Sequence, residues 1–295
     1  MLSTVPATRF NPAPNVDIRF PPLPSTVAEV CTLLAEQNAN PDTRRLIEAV
    51  NLDPVIAASV LRRINSAHYG MRRLIGDVQT AVLLLGFLEV CNIVMTAALL
   101  KLVDTLPSRE QRGIFNEIMR VSVTAAHYMH GIAHTITLND KSIAFTAGLL
   151  HAMGRLVLLY NKPHDYEALW YSGEPGSAPS IEAERLIFGT DHALLGALAA
   201  DRWNLPGKIG ALIGKYHTPE AIADTDLRKL AYALALASTT AEASCLGAET
   251  PASDDPPEVL TAFANALEMS PGEAVCLLET IRAQIPELPE ELLRN

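Results

Sequence analysis

Aromatic residues are scarce in this 295-residue chain: Phe, Trp and Tyr supply 5 % of it, although 49 % of its residues are hydrophobic. A core built from Leu, Ala, Ile and Val suits packed helices better than a β-sandwich. Positive charge is also in deficit, and a formal net charge of −10 argues against a dedicated nucleic-acid binder, because an acidic surface repels phosphate. The four cysteines, Cys31, Cys91, Cys245 and Cys276, are far apart and lack the C-x-x-C spacing of zinc or redox sites, so buried free thiols are expected. The first basic residue is Arg9, and Pro6, Pro12 and Pro14 interrupt the start, which is not the pattern of a signal peptide; a cytoplasmic protein is expected. No long apolar run is free of charge. The nearest, Ala81 to Val103, carries Glu89, Asn92 and Lys101, and a charge near the centre of a span costs about 2.5–3.5 kcal/mol. A buried helix is expected there, and no membrane contact. The phosphate loop G-x-x-x-x-G-K-[ST], the elbow G-x-S-x-G and the zinc motif H-E-x-x-H are missing too, so those chemistries have no motif behind them.

What is present reads as helix after helix. Residues 1–24 contain Pro21-Pro22-Leu23-Pro24 and are expected to form an extended arm. Val27, Val30, Leu33 and Leu34 then follow helical spacing, and Leu46, Ile47 and Val50 make a second stripe. Asp53-Pro54 pairs an N-cap with a first-turn proline and opens a helix through Ile64. Gly70, Gly76 and Gly86 punctuate the chain beyond it. Further helices are expected from Ser108 to Ala133, from Asp140 to Tyr160, and around 181–188, 191–204, 206–216 and 226–245. Ser270-Pro271-Gly272-Glu273 has the form of a capping box and opens a last helix. Residues 171–180 and 247–257 read as surface loops.

The order and spacing of Leu23-Pro24, Asp53-Pro54, Asn65-Ser66-Ala67-His68-Tyr69-Gly70 and Ala81 to Gly86 resemble the N-terminal half of HDOD domains. Gly148-Leu149-Leu150-His151-Ala152-Met153-Gly154-Arg155 looks like the metal-binding segment of the wider HD superfamily. Gly189-Thr190-Asp191-His192, Trp203 to Pro206 and Tyr216-His217-Thr218-Pro219 look like later landmarks of HD and HD-GYP proteins. The resemblance covers about residues 20–240. It implies an all-α, multi-helix HDOD fold of bacterial origin with a role in signal transduction: an N-terminal bundle (25–106) packed on a degenerate HD-like half (107–240), then a helical extension (241–295).

HD enzymes hydrolyse phosphoesters with divalent metals held by histidines and aspartates, the metal acidifying bound water and neutralising phosphate charge. The resemblance places His127, His151, His192 and His217 at the family's histidine positions, but the carboxylate that should follow His151 is Ala152, and a later one falls at Ser238. Three imidazoles could still hold Zn²⁺. Against that stands a polar cavity of hydrogen-bonded histidines, and the expectation is no metal and no cofactor, with residual divalent binding as the alternative. His127, His130 and His134, spaced i, i+3, i+7, share a helix face without a matching carboxylate. Arg62, Arg63, Arg72 and Arg73 flank the signature Asn65, Ser66, Ala67, Tyr69, Gly70, with no acidic residue between Asp53 and Asp77. They form either an anion or partner patch or a solvated face. Asn65 and Ser66 are expected to end a helix, with Gly70 as its left-handed stop.

These observations point to a regulatory module that is not an enzyme and that binds a partner protein or a small signalling ligand, with a homodimer as one option. The alternative is a divergent HD phosphohydrolase using the four histidines. A weaker one is nucleic-acid or nucleotide binding through the arginines.

Overall fold

Side chains that accept hydrogen bonds from the first, otherwise unpaired N–H groups mark where many helices of this chain begin. In the computed structural model Asp53 accepts from the amides of Val55 and Ile56, with Pro54 in the first turn. Asp42, Asp77, Ser108, Ser180 and Asp224 cap other helices in the same way. The structure describes residues 18–21, 25–36, 42–66, 69–136, 140–173, 176–247 and 257–285. The arm expected over 1–24, most of the loop expected over 247–257, and Ala67 and His68 of the signature lie mostly or wholly outside them. The described residues contain helices and no strand, so the fold is all-α.

Contacts divide the chain into two compact units. One spans residues 21–107 with 203–206. It holds α1 (Ser25–Ala35), α2 (Thr43–Asn51), α3 (Pro54–Ile64), α4 (Val78–Leu85) and α5 (Phe87–Leu100). The apolar stripes read in the sequence meet inside it: Val27, Val30, Leu46, Val50, Ile56, Val60 and Ile64 are fully or almost fully buried. The stretch expected to be buried up to Val103 is instead broken. Gly86, at φ +88°, separates α4 from α5, and Leu83, Leu84 and Leu88 beside this break are 69 %, 53 % and 42 % exposed. Asn65, not Gly70, ends α3; its side-chain amide donates to Leu61 O and Ile75 O and accepts from Ile75 N, pinning the loop between them. Gly70, at φ +55°, turns that loop.

The other unit contains α6 (Arg109–Thr135), α7 (Ala144–Leu150), α8 (Met153–Asn161), α9 (Pro163–Ser172), α10 (Ile181–Phe188), α11 (His192–Arg202), α12 (Gly207–Lys215), α13 (Thr225–Leu246), α14 (Glu258–Ala266) and α15 (Pro271–Arg282). The single helix expected from Asp140 to Tyr160 is two, parted by a turn at His151-Ala152. α9 and α14 were not legible in the sequence, whereas the capping box of Ser270 and Glu273 forms as expected. α6 is the long central element, packed against α7, α13 and α15, and α11 lies against α8 and α12.

Two of these crossings are main chain against main chain. A Cβ on Gly148 would sit 2.6 Å from Ala126 Cα, and one on Gly154 would overlap the carbonyl oxygen of His192. Gly154 and Gly196 face each other across α8 and α11. Among the described residues no single helix is long and apolar enough to cross a membrane. The free thiols of Cys31 and Cys91 are buried, whereas Cys276 is exposed, against the expectation of buried cysteines.

Gly154→Ala is expected to destabilise the protein by about 1–3 kcal/mol or more, since the clash is with backbone that no rotamer change relieves. Gly113→Ala, in α6 where nothing lies within 4 Å, should be neutral or stabilising by up to about 1 kcal/mol. Urea unfolding of the two variants measures both.

Candidate functional site

Three of the four histidines singled out in the sequence converge in the unit of residues 108–202 and 207–295. His151 lies in the turn between α7 and α8, His192 opens α11, and His217 comes just after α12. The α11 end is built locally. Gly189 reverses the chain in the left-handed region at φ +68°, and Asp191 accepts from Leu194 N at 2.8 Å while pairing with Arg185 at 2.7 Å. This sets His192 pointing inward.

The partners of each ring fix where its proton sits. His151 Nδ1 lies 2.6 Å from Gly148 O, a group that only accepts, so Nδ1 carries the hydrogen. Its Nε2 is then bare and accepts from Ser238 Oγ at 3.0 Å. His192 Nδ1 lies 2.7 Å from Glu184 Oε2 and donates to it, leaving its Nε2 to face Tyr216 Oη at 2.9 Å and His217 Nε2 at 3.1 Å. Both buried imidazoles thus turn a lone pair toward the centre, and both lone pairs are met by donors of the chain itself.

A buried charge network lies behind the rings. Glu184 has no exposed surface; it accepts from the backbone N–H of His192 at 2.7 Å as well as from its ring, and from Tyr166 Oη at 3.4 Å. Arg155 donates to Pro179 O at 2.8 Å and pairs with Glu184 at 3.6 Å and Glu242 at 3.4 Å. Burial opposes the Arg155 charge, but Tyr166, Glu184 and Glu242 outweigh it, so the guanidinium stays protonated. Burial pushes both carboxyls up, while Arg155 pulls against the shift. Burial pushes His151 down to about 4 and His192 well below its usual range. His217 has an exposed outer face; desolvation of its inner edge, then His192 and Arg155, move it in the same direction.

The sequence reading missed Glu184, Arg155, Tyr166 and Glu242 as members of this cluster. Arg155 could have been found from its place four residues after His151, one helical turn along. His127, on α6, sets its ring edge-on to Phe145 at 5.3 Å. His130 and His134 stack on each other at 4.3 Å. Of the arginines, Arg63 is occupied by Glu89 at 3.2 Å and lies over the Tyr69 ring, whose hydroxyl also donates to Glu89. Arg62 bonds Ser59, and Arg72 and Arg73 are exposed.

A model of the HDOD domain matches residues 20–219. This chain belongs to the HDOD family. The HDOD chain is similar in fold to an HDOD domain protein of unknown function from Geobacter sulfurreducens, with a TM-score of 0.69 at 22 % identity, over 91 % of this chain and 93 % of that one. It is similar to a candidate phosphohydrolase of Shewanella amazonensis, with a TM-score of 0.63 at 22 % identity, over 92 % and 93 %. A candidate signal transduction protein of Marinobacter aquaeolei gives 0.64 at 23 % identity, over 97 % of this chain and 64 % of that one. Among curated proteins, an uncharacterized protein of Treponema pallidum is 24 % identical over 246 residues, which is 83 % of this chain and 46 % of that protein. The chain thus spans about half the length of that relative.

The HD relationship implies metal, and the residues fit one poorly. Ala152 offers no lone pair, and those of His151 and His192 point at hydroxyl donors. Among the described residues no group of three or more His, Cys, Asp or Glu side chains has the geometry to hold an ion. Ser238 and His151 form a hydroxyl–imidazole pair, but at 5 % and 1 % exposure no substrate reaches it unless the helices part.

The unfolded chain binds a proton at His151 near 6.5 and the folded chain only near 4. The stability this neutral ring carries is therefore complete above about pH 6.5 and declines as pH falls toward 4, by about 1.4 kcal/mol per pH unit. Glu184 and Glu242, with raised values, act in the opposite sense, so the difference between two proteins isolates the effect. In urea unfolding from pH 6.5 to pH 5, His151→Gln should show a slope smaller by about that amount than the parent; equal slopes would rule out a buried neutral His151.

Proposed function

We propose that this HDOD protein is a bacterial regulatory module that acts by binding a partner protein or a small signal, and that its HD-like centre does not hydrolyse phosphoesters. One observation carries the reading. The Nε2 atoms of His151 and His192, oriented as metal ligands would be, accept hydrogen bonds from Ser238 and Tyr216, and the residue after His151 is Ala152. Coordination of a divalent ion would have to break those bonds, with no carboxylate beside His151 to serve as a ligand and offset the cation. The centre thus keeps its shape through imidazole–hydroxyl bonds and the Arg155–Glu184 pair, and serves the fold as a polar core. Similarity in fold to a candidate signal transduction protein supports the regulatory side of the reading.

The test is metal analysis of purified protein together with phosphodiesterase assays on an activated diester and a cyclic dinucleotide in the presence of Mn²⁺. Substoichiometric metal and no turnover are expected. Stoichiometric metal with turnover that disappears in His151→Ala would overturn the proposal. The Ala152→Asp/Ser238→Asp variant, which returns two carboxylates and frees His151 Nε2, should gain metal-dependent thermal stabilisation that the parent lacks.

A further inference from the structure

Away from the histidines, α13 and α14 face each other with mismatched side chains. α13 presents Thr225, Arg228, Lys229 and Tyr232, spaced i, i+3, i+4 and i+7 and hence on one stripe. α14 answers with Ala262, Asn265 and Ala266. Two alanines opposite three large polar residues leave an open cavity of about 430 Å³, within the range of small-ligand sites. Along the axis of α13 it lies about 9 Å from Ser238, six residues at 1.5 Å each.

The charged side chains of the lining, Arg228 and Lys229, are both cations. No acidic residue contributes to it, in a chain whose net charge is −10. Asp224 is spent capping Leu227 N, Asp226 falls off the stripe, and Glu258 lies a turn before Ala262 and outside the lining. Arg228 is anchored through Nη2 to Ala223 O at 3.1 Å, and its enclosed Nε–H has no acceptor. Among the described residues Lys229 forms no ion pair, and the side chains of Thr225, Tyr232 and Asn265 form no hydrogen bond. Such a set, a fork and a point charge beside an aromatic face and an amide, matches an anion attached to a planar ring. Whole-protein repulsion of anions makes two unopposed cations at one cavity the more specific.

We infer that the cleft between α13 and α14 binds a small organic phosphate bearing a planar ring, of mononucleotide size, with Arg228 and Lys229 on the phosphate and Tyr232 against the ring. The site lies beyond residue 219, where the family match ends, and gives the C-terminal helices a role as one wall of a ligand pocket. It stands whether or not the histidine centre is catalytic.

Isothermal titration of the full chain at low salt, with adenosine 5′-monophosphate and inorganic phosphate as separate probes, tests it. The nucleotide should bind, and phosphate should bind more weakly at the same place. Lys229→Gln and Arg228→Gln should each weaken both probes by about tenfold or more. Tyr232→Leu should weaken the nucleotide and spare phosphate. Gly113→Ala, on α6 with nothing within 4 Å, should leave both unchanged. Because Lys229 is only half-buried and forms no ion pair among the described residues, Lys229→Gln should fold like the parent by circular dichroism, which separates lost binding from lost structure. Absence of binding by either probe at millimolar concentration, or binding that survives the Arg228→Gln/Lys229→Gln double variant, would overturn the inference.

Discussion

Glu184 has no contact with water, and a carboxylate in that position is tolerable only when its charge and both its oxygens are met from within. Four groups meet it: the Arg155 guanidinium, the His192 amide, the His192 ring and the Tyr166 hydroxyl. Each comes from a different demand of the fold. The amide is one of the unpaired donors at the start of α11, so the carboxylate also caps that helix. The ring is fixed in one tautomer, which decides what its other nitrogen can accept. The guanidinium ties α8 to the segment before α10 through Pro179 and to α13 through Glu242. Removing any one of the four would leave a buried charge or donor uncompensated, so the arrangement holds or fails together.

This pairing sets the character of the centre. A carboxylate that receives Nδ1–H from a histidine is the device that metalloproteins use to aim Nε2 at an ion. Here the aim is intact and the target differs. Tyr216 and Ser238 stand where a lone-pair acceptor is needed, and both carry a hydrogen to donate. Ring nitrogens that face donors in a dry interior are stabilised as neutral bases, which is why burial drives His151 and His192 downward instead of producing a pair of cations beside Arg155.

Much of this architecture could be read from the chain because it rests on local rules. Asp53-Pro54 and the Ser270–Glu273 box are short-range capping chemistry, and both form as the residues dictate. The stripes of Val27, Leu46 and Ile56 reached the core because helical spacing and burial coincide. The convergence of His151, His192 and His217 was legible through resemblance. Non-local pairing was harder to see. Glu184 sits on a short helix among ordinary surface-type neighbours, and nothing in its vicinity announces that it will meet Arg155 from 29 residues earlier. The break at His151-Ala152 was hidden because the run from Phe145 to Leu159 is mostly apolar and buried on every side, so periodicity gave no sign of a turn. Arg63 looked unopposed because its partner, Glu89, lies 26 residues away.

The approach of Gly154 to the carbonyl of His192 has a bearing on descent. Most helix crossings are held by interlocking side chains, and each replacement shifts them a little. A crossing made by main chain carries no such memory: the residues around it can drift widely while the axes stay where they were, provided the glycines remain. That is one route by which a fold can outlast much of its sequence.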